Sequence, residues 1–245
     1  MSKIYEALEL ARKTPFFREK EIEAPLPKTY KTGALDLEIE EEMVTLYQNI
    51  NSLLPDVQKP SLLFVGSHSN EGASTIARQF AKTCSLTLGK TVLLVDLDRS
   101  RPNFHLFVDV EPECDLEEVI KADAPVEKAY CQVEESSLYV MPLFQQTSLS
   151  PRTLDSSRSD DFWGKVRDRF DLTIIDAPPA TLFPDGLGFV RQVNGVILVF
   201  EAEKTRWPVA MNVKQKIEKQ GGNILGIVFN KRRFYIPDWL YRRLY

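Results

Sequence analysis

Three short stretches of this 245-residue chain carry residues whose types and spacing suit phosphate chemistry. The first is Gly66-Ser67-His68-Ser69-Asn70-Glu71-Gly72-Ala73-Ser74-Thr75, which lies between an apolar run and a helical pattern. A strand that turns through glycine into a helix start offers backbone N–H groups and a positive dipole end to an anion. Gly72 lets the backbone approach a phosphate, and Ser74 sits where a Mg²⁺-ligating hydroxyl belongs. The pattern G-x-x-x-x-G-K-[ST] is not met, because Ser67 holds the first glycine position and Ala73 the lysine position. Taken alone, the stretch reads equally as an ordinary βα turn with Ser/Thr capping of the helix.

The second stretch is Val95-Asp96-Leu97-Asp98-Arg99-Ser100-Arg101-Pro102, and the third is Ile174-Ile175-Asp176-Ala177-Pro178-Pro179. Both place carboxylates at the end of a buried strand, where parallel sheets bind ligands. Alternation sends Asp96 and Asp98 the same way, so that one can hold Mg²⁺ through water and the other accept a proton. Asp176 closes an apolar run in the manner of an acid that positions a Mg²⁺ shell. Three carboxylates and a Ser/Thr-rich loop, all at strand ends, make a chance βα turn a poor explanation.

The elements that must position these residues follow from the apolar pattern. Strands are expected at 61–65, 91–95, 172–175, 195–200 and 224–229. Helices are expected at 75–88, closed by Gly89-Lys90, and at 207–219, ended by Gly221-Gly222. Buried strands alternating with helices predict an α/β fold, a mostly parallel sheet with helices on both faces. Ahead of it, residues 1–13 read as a short amphipathic helix containing Tyr5. Residues 14–35, with Pro15, Pro25 and Pro27, read as a linker. The main domain spans 36–230. Its acidic start, Asp36 to Glu42, is most simply a solvated helix beginning ahead of the apolar face of 43–54. The alternative is an electrostatic docking site.

Composition sets the outer limits. The hydrophobic fraction is 43% and the charged fraction 27%, with Lys+Arg 31 against Asp+Glu 35 and a formal charge of -4. That excludes fibrous and wholly disordered classes and argues against a nucleic-acid partner, which needs a cationic surface. Cys84, Cys114 and Cys131 form no disulfide framework, and with only His68 and His105 no structural zinc site is expected. No apolar run spans a bilayer and no secretory leader opens the chain, which points to the cytoplasm.

The set Glu71-Gly72-x-Ser74-Thr75, Asp96-x-Asp98-x-x-Arg101-Pro102-x-x-His105 and Ile174-Ile175-Asp176-x-Pro178-Pro179 resembles the bacterial tyrosine kinases of capsular and exopolysaccharide synthesis. These kinases belong with the deviant Walker-type P-loop NTPases, and the likeness runs from about Glu41 to Asn230. The resemblance implies ATP and Mg²⁺ as cofactors, with Ser74, Asp96 and Asp176 serving the metal. It makes Asp96, Asp98 and Asp176 the catalytic acids. It places Glu71, Gly72, Ala73, Ser74, Thr75 and Arg101 around the nucleotide and Asn230 against the adenine. Asp185 and Lys204-Thr205 fall at familiar spacings after Asp176.

It also implies a separate membrane-spanning polysaccharide co-polymerase that recruits the chain to the inner face of the cell membrane, and a homo-oligomer. Two departures stand out. Ala73 replaces the lysine, and Val44 and Tyr47 occupy the positions of two arginines of the family's ring-forming helix, although Glu41 is kept. The tail, residues 231–245, carries Lys231, Arg232, Arg233, Arg242 and Arg243 with interleaved aromatics. Its Tyr235, Tyr241 and Tyr245 are the candidate phosphoacceptors; otherwise it is a docked helix or a basic-aromatic surface for a membrane or partner.

Three functions are thereby in contention. One is a kinase-fold regulator of polysaccharide chain length or assembly with impaired ATP use. Another is an active tyrosine autokinase whose missing lysine is replaced by Arg78, Arg99 or Arg101. The third is a partitioning or positioning ATPase of the same superfamily, against which stands His68, where that branch carries its signature lysine. A Rossmann oxidoreductase is a poor fourth, since no G-x-G-x-x-G follows the first strand.

Overall fold

Strands buried along their whole length need cover on both faces, and the chain supplies it. The computed structural model describes residues 37–97, 112–142 without 115 and 123, 157–181 and 184–232. The expectations for residues 1–36, for 98–111 including Asp98, Arg99, Arg101 and His105, and for the tail beyond Arg232 including Tyr235, Tyr241 and Tyr245 lie outside the described residues. All described residues belong to one compact unit.

Within it α1 (Leu37–Leu53) leads to β1 (Ser61–Gly66), α2 (Ala73–Leu86), β2 (Val92–Asp96) and α3 (Leu116–Ala122). There follow β3 (Cys131–Gln132), β4 (Leu138–Pro142), α4 (Ser157–Arg169), β5 (Leu172–Asp176), β6 (Gly195–Glu201), α5 (Trp207–Lys219) and β7 (Ile224–Asn230). The sheet order is β3-β4-β2-β5-β1-β6-β7, parallel throughout except for the β3–β4 pair. Every residue of β1, β2 and β5 is buried.

Two cores result, one on each face. Leu62, Phe64, Leu94, Ile174, Ile197 and Val199 meet α1 and α2 on one side. Leu63, Val65, Leu93, Ile175, Leu198 and Phe200 meet α3, α4 and α5 on the other, where Phe162, Trp163 and Val166 of α4 insert. The α/β reading with helices on both faces is thus the observed architecture. The edges differ. β3 is two residues long, whereas β7 is a seven-residue edge strand with no charge or proline between Ile224 and Phe229. Ile227 and Phe229 remain 45% and 65% exposed there.

Helix α1 begins at Leu37, so Glu38 to Glu42 form its start, and Glu41 and Glu42 are solvated, as the simpler reading requires. Tyr47, at one of the two arginine positions, turns toward the core with its ring 6.4 Å from Phe80. Burial pushes the Cys84 thiol up to about 12, so it behaves as a small apolar filler rather than a nucleophile. Among the described residues no helix is long and apolar enough to cross a membrane.

Candidate functional site

The phosphate-type loop is shaped by two left-handed residues, Asn70 at φ 68 and Gly72 at φ 97. Asparagine tolerates that region, and glycine enters it without penalty. Gly72 is also the N-cap of α2, with no side-chain capping bond and no acid in the first turn. This corrects the alternative of an ordinary turn capped by Ser or Thr. Only the Gly72 carbonyl serves the usual helical role, accepting from Ile76 N at 3.0 Å. The backbone N–H groups at the start of the helix therefore keep their capacity for an anion.

Glu71 explains how the loop holds that shape. Its carboxylate is buried and accepts from Ser67 N at 2.5 Å, Ser67 Oγ at 2.7 Å, His68 N at 2.9 Å and Thr205 Oγ1 at 2.5 Å. The Glu71 side chain is thus engaged by the loop itself and by the turn after β6. Thr181 adds a second tie, from the segment after β5. Its Oγ1 donates to Ser67 O at 2.5 Å, next to Ala180 N donating to Gly66 O at 3.0 Å. Thr205 was marked by spacing alone. Thr181 and Ser67 gave no signal, because hydroxyls that bind backbone atoms follow no sequence pattern. Thr205→Val removes one donor and keeps the shape. It is expected to cost about 1 kcal/mol, read as a fall of roughly 2–4 °C in Tm.

The carboxylates stand beside this loop. Asp96 and Asp176 are register partners on the adjacent strands β2 and β5, and Phe64 of β1 is the partner of Asp176 on its other side. Both acids are buried, at 5% and 1% exposure. They share the parity of Leu94 and Ile174, the face covered by α2, and Ser74 and Thr75 lie in the first turn of that helix. Among the described residues no group of three or more His, Cys, Asp or Glu forms a direct metal cage. Two carboxylates with one hydroxyl fit Mg²⁺ all the same, since that ion keeps most of its waters and takes phosphate oxygens as ligands.

Asn230 closes the loop from β7. Its Nδ2 donates to Glu71 O at 2.9 Å and its Oδ1 accepts from Lys231 N at 2.9 Å. A Cβ on Gly72 would stand 2.0 Å from Asn230 Nδ2, so glycine is required there for space as well as for φ. Arg78, one candidate for the substitute cation, makes a long 3.4 Å contact to Thr75 Oγ1 along its own helix. It lies near Lys82, whose pKa is lowered first by burial and then by that guanidinium. Ala73 is half-buried against the α2-side core.

No family model matches the chain. It is 25% identical over 193 residues to the tyrosine-protein kinase YwqD of Bacillus subtilis, covering 79% of this chain and 81% of that one. It is 28% identical over 169 residues to the tyrosine-protein kinase CpsD of Streptococcus pneumoniae, covering 66% and 71%. Among solved structures, the chimerical protein CapA2B2 superposes with a TM-score of 0.69 at 22% identity, over 79% of this chain and 85% of that one. The kinase domain of Escherichia coli tyrosine kinase ETK gives 0.69 at 20% identity, over 81% and 79%. The septum site-determining protein MinD of Pyrococcus horikoshii, complexed with Mg-ADP, gives 0.59 at 22% identity, over 76% of each. The curated relatives are thus bacterial tyrosine-protein kinases, and the fold is that of bacterial tyrosine kinase domains and MinD-like P-loop ATPases.

Proposed function

We propose that this chain binds Mg-ATP as a tyrosine-kinase-like component of bacterial capsule or exopolysaccharide assembly. It regulates chain length or assembly through a separate membrane-spanning co-polymerase at the inner face of the cell membrane. The observation that carries the nucleotide site is the start of α2: a helix opened by Gly72 at φ 97, left without a side-chain cap, beside the register-paired Asp96 and Asp176. Backbone N–H groups there orient phosphates, while the paired carboxylates order the water shell of the metal. Bound Mg²⁺ would neutralise charge on the phosphates. Asp98 is the acid assigned to take the proton of an attacking tyrosine hydroxyl, with Tyr235, Tyr241 and Tyr245 as acceptors. Ala73 removes the point charge that such loops use on the β- and γ-phosphates. Binding is therefore weak and phosphoryl transfer impaired.

The MinD-like fold does not favour the positioning ATPase, because His68 is exposed where that branch carries lysine, with Nδ1 2.9 Å from Ser67 Oγ. Titration of the purified chain with Mg-ATP, followed by autophosphorylation with and without the cytoplasmic part of its membrane partner, tests the proposal. The expected result is measurable but weak nucleotide binding and little phosphotyrosine. Complete absence of binding, with and without the partner, removes the nucleotide site. Rapid autophosphorylation removes the impaired-kinase reading and leaves the active one.

A further inference from the structure

The loop lacks its lysine at position 73, yet a lysine reaches the loop from elsewhere. Lys231 follows β7 directly, and its Nζ donates to the carbonyl of Asn70, on the loop and ahead of Ala73. We propose that Lys231 is a cation of the phosphate loop, supplying across the β7 edge part of the charge that Ala73 omits. This inference deepens the nucleotide-site reading and rests on it.

Three observations support it. First, the residue is held in place at a cost. Lys231 has φ 57, a left-handed conformation that a side chain with a Cβ enters at about 1–2 kcal/mol. Asn230 secures it there, because the same side chain that accepts from Lys231 N also donates to Glu71 O on the loop. Ala202 N donates in turn to Asn230 O at 2.9 Å. A strained residue fixed by bonds on either side is over-determined, as residues at ligand sites are.

Second, its charge is not cancelled. Its other recorded contact is Glu201 Oε2, at 3.4 Å. Lys204 already engages both oxygens of Glu201, at 3.0 and 3.2 Å. Glu201 is held below the usual carboxylate range first by that Lys204 bond, with Lys231 a lesser cause. Two ammonium groups share the Glu201 carboxylate, so neither has a carboxylate to itself. Third, an ammonium has three donors. With one on Asn70 O and a long contact to Glu201, and with the side chain 47% exposed, Lys231 retains capacity for a phosphate oxygen. The assignment also separates Lys231 from the basic tail in which its neighbours place it by sequence.

Isothermal titration with Mg-ATP at several ionic strengths decides the matter, using the full chain and three variants whose folding is checked by thermal melting. Lys231→Gln keeps an N–H donor and loses the charge; affinity is expected to fall about tenfold, the size of one charge-assisted contact. The salt dependence of binding should become shallower, a readout that a merely structural role would leave unchanged. Lys231→Arg should restore most of the affinity. Glu201→Gln should tighten binding, because it frees both ammonium groups from their shared carboxylate. If the native chain binds Mg-ATP and Lys231→Gln matches it in affinity and salt slope, Lys231 is not a cation of the loop and the nucleotide site stands without it. If the native chain itself binds no Mg-ATP, the nucleotide reading falls and this inference falls with it.

Discussion

In a Glu71→Ala chain, thermal unfolding is expected roughly 6–12 °C below that of the native chain, the equivalent of about 3 kcal/mol at this size. The substitution deletes the carboxylate that accepts from four donors, Ser67 N, Ser67 Oγ, His68 N and Thr205 Oγ1, of which Ser67 Oγ alone keeps a second contact, to His68 Nδ1. Ser67 is fully buried and Glu71 5% exposed, so solvent does not replace the lost acceptors without opening the loop. Leaving buried donors unmet costs more than the net worth of the bonds that satisfied them. Glu71→Gln keeps one carbonyl acceptor, but its amide turns two N–H groups toward other donors. Its loss should fall between those of native and alanine chains. Differential scanning calorimetry of the three chains gives the comparison. An alanine variant melting within 1 °C of native would mean that the network under the loop contributes nothing to the fold.

Ala73→Lys is expected to raise Mg-ATP affinity roughly ten- to a hundredfold, since a charge-assisted hydrogen bond contributes about 1.5–3 kcal/mol. Ala73 is the first residue of α2 and half-buried, so the lysine stem must pass along apolar surface before its ammonium reaches the loop mouth. The Lys231 assignment predicts how the two sites couple. In the Lys231→Gln background Ala73→Lys should gain more than in the native background, because one cation then stands in for the other. Equal gains in both backgrounds would show two independent charges. No gain in either would place position 73 out of reach of the phosphates.

Much of the frame was legible because it depends on runs of apolar residues. β1, β2, β5, β6 and β7 and helix α5 appear where the pattern sets them, and their ends shift by a residue or so. What escaped notice had weak or mixed patterns. β4 is Leu-Tyr-Val-Met-Pro, a five-residue run ending in proline, and β3 is two residues long. Helix α4 buries Ser159, Phe162, Trp163 and Val166 within a charged sequence interrupted by Gly164. For the site, the paired placement of Asp96 and Asp176 followed from strand ends alone, whereas the direction of Glu71 did not. A carboxylate beside a glycine-rich loop carries no mark in the sequence of the four donors that surround it. Lys231 was hidden for the opposite reason: neighbouring basic residues gave it the character of a tail, although Asn230 turns it back to the loop.

The order of strands has a consequence for the nascent chain. β1 lies between β5 and β6, so its partners Thr173 to Asp176 and Gly195 to Val199 are more than one hundred residues downstream of it. At a synthesis rate of roughly 5–20 residues per second, β1 waits on the order of 5–20 s before either neighbour emerges. Residue pairing over such separations also slows closure of the sheet. The final brace on the loop, Asn230, belongs to the last strand. The loop encoded in the first third of the chain is thus among the last parts to become native. A ribosome that stops short of β7 releases a chain with an apolar β1 and an unbraced loop. The loop gains its last brace only with a complete sheet, and synthesis to the end of β7 becomes its own quality check.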